Sequence, residues 1–177
     1  EALRQPRTIE VRTKLKDGRE VVGQVQVLPD YLAIGSDQDQ VRIPMNPLTA
    51  LKIADRLGMS LPTRKLVDDV YRQADTKLTP SPLPPTAQMT SNAWYHKHAD
   101  AVDGQLQGRG GLVAGHKKDV VISNHVTAHP DRVAIYGWHQ PDGKPIQGLS
   151  TVHESTYADY SHGIRLVGGT MLVDGQP

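Results

Sequence analysis

Apolar and polar residues alternate from Thr8 to Leu28 in TIEVRTKLKDGREVVGQVQVL, on both sides of Asp17-Gly18. A period of two with Asp-Gly at its centre predicts a β-hairpin closed by a tight turn. Ile9, Val11, Thr13 and Leu15 share one face of the first strand; Val21, Gly23, Val25 and Val27 share one face of the second. YLAIGSD and VRIP extend this small sheet, with SDQDQ as the turn between them. The period then lengthens. NPLTALKIADRLG spaces Leu48, Leu51, Ile53, Ala54 and Leu57 as a helix does, and Gly58 is a natural stop. Thr63 caps a second helix through RKLVDDVYRQAD, with Leu66, Val67, Val70 and Tyr71 inward.

TPSPLPPT, residues 79–86, holds four prolines in eight positions. Proline lacks the backbone donor that a helix or central strand requires, so this run predicts an extended connector. It divides the chain into an N-terminal hairpin and helical region, 1–78, a connector, 79–90, and a β-rich region, 91–177. SNAWYHKHADAVDGQL predicts a third helix ending before Gly108, Gly110 and Gly111. DVVISNHV, RVAIYGWH, PIQGL, GIRLV and TMLV then predict strands separated by polar turns. The expected class is α+β: an N-terminal hairpin and small antiparallel sheet, two or three helices, and a C-terminal antiparallel sheet carrying the chemistry.

Composition narrows the function. The net charge is +1 with no long block of one sign, which excludes the clustered basic face of a nucleic-acid binder. The chain has no cysteine, so thiol nucleophiles and thiolate metal sites are absent. No apolar run approaches a membrane span. The sequence opens without methionine, which fits a processed product whose export signal has been removed. All eight histidines follow the connector, and the first 95 residues contain none. Imidazole titrates near neutral pH and binds metals, so this asymmetry places the expected active centre in the second half.

Three stretches concentrate candidate chemistry. GHKKDVVI sets His116, Lys117, Lys118 and Asp119 at the mouth of a strand, where Asp119 can orient His116 or pair with a lysine. In VAIYGWHQ, alternation puts Val133, Ile135, Gly137 and His139 on one face and Tyr136 and Trp138 on the other. Gly137 leaves space beside His139, and Trp138 can stack on a sugar or cap the core. HESTYADYSHGIRL is the densest segment, with His153, Asp159, Tyr160, Ser161, His162 and Arg165. If DYSH is a loop before a strand starting at Ile164, Asp159 and His162 converge. His153, Asp159 and His162 are also the expected ligand set if zinc is bound, with a fourth position open for water.

Ser161, His162, Gly163, Ile164, Arg165 and Leu166 resemble the S-H-G-C-[IV]-R-[LM] signature of L,D-transpeptidases, with the nucleophilic cysteine omitted. The resemblance covers six residues and implies a bacterial cell-envelope setting; that family carries an upstream histidine at the end of a strand, for which His139 lies somewhat too far from Ser161 and His153 too near. STVHESTYAD is similar to the first motif of zinc D,D-peptidases, presenting Ser150, His153, Ala158 and Asp159 in that order at shifted spacings.

Together these features predict a small secreted or periplasmic hydrolase of peptidoglycan or another polysaccharide. A base from His116, His139, His153 and His162 would act with Asp119 or Asp159. Lys117, Trp138, Tyr160, Ser161 and Arg165 would hold substrate. The alternatives are a non-enzymatic glycan-binding module, with Trp94 and Trp138 as stacking faces, and a zinc-dependent peptidase or hydrolase at the His153, Asp159, His162 set.

Overall fold

The structure, a computed structural model, describes residues 5–36 and 39–176. The alternating segment forms the hairpin: β1 (Arg7–Lys14) pairs antiparallel with β2 (Glu20–Val27). Ile9, Val11, Val25 and Val27 are its buried face. β3 (Ala33–Ile34) and β4 (Val41–Arg42) form a ribbon of their own instead of extending that sheet. Their expected turn includes positions 37 and 38, which lie outside the described residues.

α1 (Pro47–Arg56) is capped by the Asn46 side chain, which accepts from the Thr49 N–H. Its buried positions are Ala50 and Ala54, while Leu48, Leu51 and Leu57 are exposed. The leucine stripe therefore faces outward, contrary to expectation. Two alanines let the helix approach Val120, Ile135 and Leu166 closely, where leucines would hold it off. β5 (Met59–Ser60) follows, then α2 (Arg64–Gln73), whose N-cap Thr63 accepts from the Leu66 N–H. Val67, Val70 and Tyr71 are buried as predicted.

β6 (Thr76–Lys77) leads into the proline connector, and α3 (Asn92–Leu106) ends where Gln107 turns left-handed. β7 (Val113–Ala114) pairs parallel with β6. β8 (Lys118–Val121) is shorter than its apolar run, because Ser123 caps a 3-10 turn at Asn124–Val126. β9 (Ala134–His139) lies between β8 and β10 (Pro145–Ser150), and β11 (His162–Gly163) pairs parallel with the other side of β8. β12 (Val167–Val173) returns to pair with β2 and β5, giving the order β1-β2-β12-β5.

Helices and mostly antiparallel strands are thus mixed in an α+β fold. The sheet begun in 1–78 is completed by β12 from 91–177. The apolar clusters cross the connector as well: Ile9, Val25 and Tyr71 pack with Leu112, Ala114 and Val167. Each fully buried aliphatic of this kind contributes about 1.5–3 kcal/mol. Among the described residues no helix is long and apolar enough to cross a membrane.

Candidate functional site

The turn between β7 and β8 carries His116 and Lys117, and β8 itself carries Asp119; all three are buried. His116 does not meet Asp119. Its Nε2 lies 3.1 Å from Asp30 Oδ1, while Asp30 Oδ2 accepts from Arg42 Nε at 3.0 Å and Nη2 at 2.7 Å. Burial opposes ionisation of Asp30, but His116 and Arg42 outweigh it and hold the carboxyl well below its ordinary value. Burial pushes His116 down to about 4 against the pull of Asp30. This imidazole is a neutral donor inside a structural network.

Asp119 has a different partner. Its Oδ2 accepts from the Tyr31 hydroxyl at 2.8 Å; its Oδ1 makes no hydrogen bond and lies 4.0 Å from Arg165 Nε. Burial pushes this carboxyl up to about 7, although Arg165 and the Tyr31 bond pull it down. Arg165 is fully inside, and its Nη1 and Nη2 donate to the carbonyls of Leu28 at 2.7 Å and Val113 at 2.6 Å. It ties two backbone segments together beside Asp119 and does not reach a substrate. Gly163 allows this convergence: a Cβ there would lie 2.6 Å from the Tyr31 ring.

His139 approaches the same place from the end of β9. Strict alternation would separate it from Tyr136, yet their rings meet edge-on at 5.9 Å and both bond Asp68 Oδ1 at 2.9 Å. The cause is a kink, with positive φ at Gly137 (112°) and Trp138 (58°), which turns His139 to the side of Tyr136. The His139 ring stacks on Tyr71 at 4.6 Å. A side chain at Gly137 would come 3.5 Å from Asp119 Oδ2 and 3.6 Å from His139 Nδ1, so both groups border the space that glycine leaves.

Lys117, Asp119, His139 and Arg165 thereby line one small enclosed cavity, with Tyr31 and Tyr71 completing its wall. The cavity is of about one water's size. His139 and Tyr71 also line an open groove of about 540 Å³, together with Asp68, Arg72, Lys77 and Lys144. Their stacked rings line both the groove and the cavity. The Lys117 stem borders the cavity, but its Nζ points away, donating to the Tyr160 carbonyl at 2.6 Å and lying 3.4 Å from His98 Nδ1. Burial, with Arg42 adding to it, pushes this amine down to about 7. His98 is pushed down to about 2, by burial and then by Lys117.

The remaining candidates form a second cluster on the far side of β11. Asp159 Oδ1 accepts from the Ser161 N–H at 2.8 Å and hydroxyl at 2.5 Å, and its Oδ2 accepts from Tyr157 at 3.0 Å. The Tyr157 ring stacks on His153 at 4.2 Å and meets His162 edge-on at 5.7 Å. His153 and His162 stay 6.5 Å apart, ring centre to ring centre. His153, Asp159 and His162 do not form the expected metal-ligand set: the carboxylate is taken up by Ser161 and Tyr157, and both imidazoles pack against the Tyr157 ring. Among the described residues no three histidine or carboxylate side chains gather to hold a metal ion. Burial pushes His162 down to about 4 against the opposing pull of Asp159. Tyr160 is buried, its hydroxyl accepting from the Leu83 N–H at 2.7 Å, which pins the connector. Trp138 is also buried, with Lys118 Nζ 5.1 Å from its ring centre.

The sequence places the expected active centre in the second half; in the structure Tyr31, Asp68 and Tyr71, all from the first half, contact Asp119 and His139. None of the three stands out as a candidate in the sequence; Tyr71 lies on the inward side of α2 with Val67 and Val70, while the Asp68 side chain is 38% exposed. No family model, no curated protein and no solved structure matches this chain.

Proposed function

We propose that this chain is a small hydrolase of a cell-envelope polymer, peptidoglycan or another polysaccharide, with Asp119 and His139 as its acid–base pair. One observation carries the reading: a buried carboxyl with an unbonded oxygen shares a water-sized cavity with an imidazole that also lines an open groove. Buried acids displaced toward neutrality beside a specific partner mark sites of proton transfer. His139 and Tyr71 line both spaces, so the imidazole meets water on one side and the polymer on the other. Ionised Asp119 takes a proton from water, the water oxygen bonds to the electrophilic carbon of a polymer lying in the groove as the bond to the departing atom breaks, and His139, entering the step as the imidazolium with its Nε2–H on Asp68, gives its Nδ1 proton to that departing atom. Asp68 fixes the His139 ring through Nε2, leaving Nδ1 for that transfer. Arg72, Lys77 and Lys144 line the groove together with Asp68 and Asp142, a mixed polar wall able to hydrogen-bond a polymer's hydroxyl, amide or carboxylate groups. The SHGIRL resemblance is the support for a cell-envelope setting. The buried position of Trp138 disfavours the alternative of an open aromatic platform for glycan binding.

The test is release of new reducing ends or amino groups from purified peptidoglycan and from a panel of soluble polysaccharides. Asp119→Asn and His139→Ala are each expected to lower turnover by about 10²–10⁴-fold, the usual contribution of general acid–base catalysis. Wild-type rates should rise as pH passes through about 7, where Asp119 ionises. Full activity in either variant, or no turnover of any polymer by the wild type, refutes the proposal.

A further inference from the structure

A cleft of about 800 Å³ opens between α1, the start of α2 and the segment following β8. It lies apart from the groove and cavity described above. Its size falls within the range of about 300–1,000 Å³ typical of small-molecule sites. Leu48, Leu51 and Ile122 line it while remaining 49%, 38% and 42% exposed. These are large apolar side chains gathered on the walls of one concavity, not scattered over a surface. The outward leucine stripe of α1 gains a reason here, since the alanine side of that helix already satisfies the core.

The charged residues lining the cleft are all cations: Arg64, Lys65 and Arg132. No carboxylate lines it among the described residues. Lys65 pairs with Asp69 at 2.9 Å and Arg132 Nε lies 3.6 Å from Asp131, so two of the charges are partly balanced from outside. Arg64 lies over the Tyr136 ring at 5.9 Å. An apolar floor with cations alone among its charged lining groups is complementary to one kind of occupant. We propose that this cleft binds a single-chain anionic amphiphile, its hydrocarbon against Leu48, Leu51 and Ile122 and its carboxylate-like head at Arg64 and Arg132. A neutral hydrocarbon would leave the cations unused, and a cationic amphiphile would be repelled by them.

The experiment is calorimetric titration of the whole chain with dodecanoate below its micelle concentration. Dodecylamine carries the same chain with opposite charge, and butyrate the same head on a short chain. Saturable binding of one dodecanoate per chain is expected, with both comparators at least about tenfold weaker. Leu48→Asp and Arg64→Gln should each weaken dodecanoate at least about tenfold while leaving the thermal unfolding midpoint in place. Leu48 is exposed in the first turn of α1, where an acidic residue suits the helix dipole. Asp119→Asn should bind dodecanoate as the wild type does, which separates this inference from the hydrolase reading. Dodecylamine binding as tightly as dodecanoate, wild-type binding in both cleft variants, or no saturable binding overturns it. So does formation of a dimer through this face in place of ligand uptake.

Discussion

Asp119→Asn separates stability from function at a single position. In the folded protein burial raises the carboxyl from 3.8 to about 7. Below about pH 4 both folded and unfolded chains hold the proton. Between about 4 and 7 the unfolded chain releases it while the folded chain retains it, so stability falls as pH rises. Above about 7 the folded chain carries a buried carboxylate and the loss is complete. At about 1.4 kcal/mol for each tenfold change in proton affinity, the full loss amounts to roughly 4 kcal/mol. Asparagine resembles the protonated acid in shape, can still accept from Tyr31, and does not titrate. The variant should match the wild type near pH 4, gain on it progressively up to about pH 7, and stay ahead by a constant margin above that. The assay is urea unfolding of both proteins at several pH values, with the difference in unfolding free energy plotted against pH. The same variant should lose turnover, the trade-off expected where a destabilised group performs chemistry. A difference that does not change with pH, or a variant less stable than the wild type at about pH 8, would refute the assignment of Asp119 as a buried, displaced acid.

Arg42→Met removes the cation from a pair in which both side chains are about 2% exposed. Breaking a buried pair from one side typically costs roughly 3–5 kcal/mol, and a loss below about 1 kcal/mol in urea unfolding would contradict the structural role given to Asp30, Arg42 and His116. Gly163→Ala places a methyl 2.6 Å from the Tyr31 ring and 2.9 Å from Lys117 Cβ. Overpacking of this kind costs about 1–3 kcal/mol, so the thermal midpoint should drop, and an unchanged midpoint would show that Tyr31 is not held against β11. Asp68→Asn weakens the group that orients His139; turnover should fall while urea stability changes little, and unchanged turnover would remove Asp68 from the mechanism.

Much of the local structure was legible in the residues alone. The period-two run around Asp17-Gly18 is the hairpin, Thr63 and Gly58 sit at the predicted start and stop, and Gly137 leaves the predicted space beside His139. Each of these follows from interactions a few residues long, whose geometry the backbone repeat already fixes. The candidate site was legible only as a collection: Lys117, Asp119, His139 and Arg165 were expected in one pocket with several other groups, without the pairings that join them.

Their meeting was decided by tertiary packing. Tyr31 bonds Asp119 across 88 residues and Asp68 bonds His139 across 71, separations over which no periodicity carries information. The same packing turned the leucines of α1 outward, because two alanines gave a closer fit to the sheet. It also engaged the Asp159 carboxylate with Ser161 and Tyr157, which three ligand-type residues in one short segment could not reveal. A residue's type states what chemistry it can do. Whether a carboxyl titrates near 4 or near 7 depends on how far the fold removes it from water and on which charges it meets there.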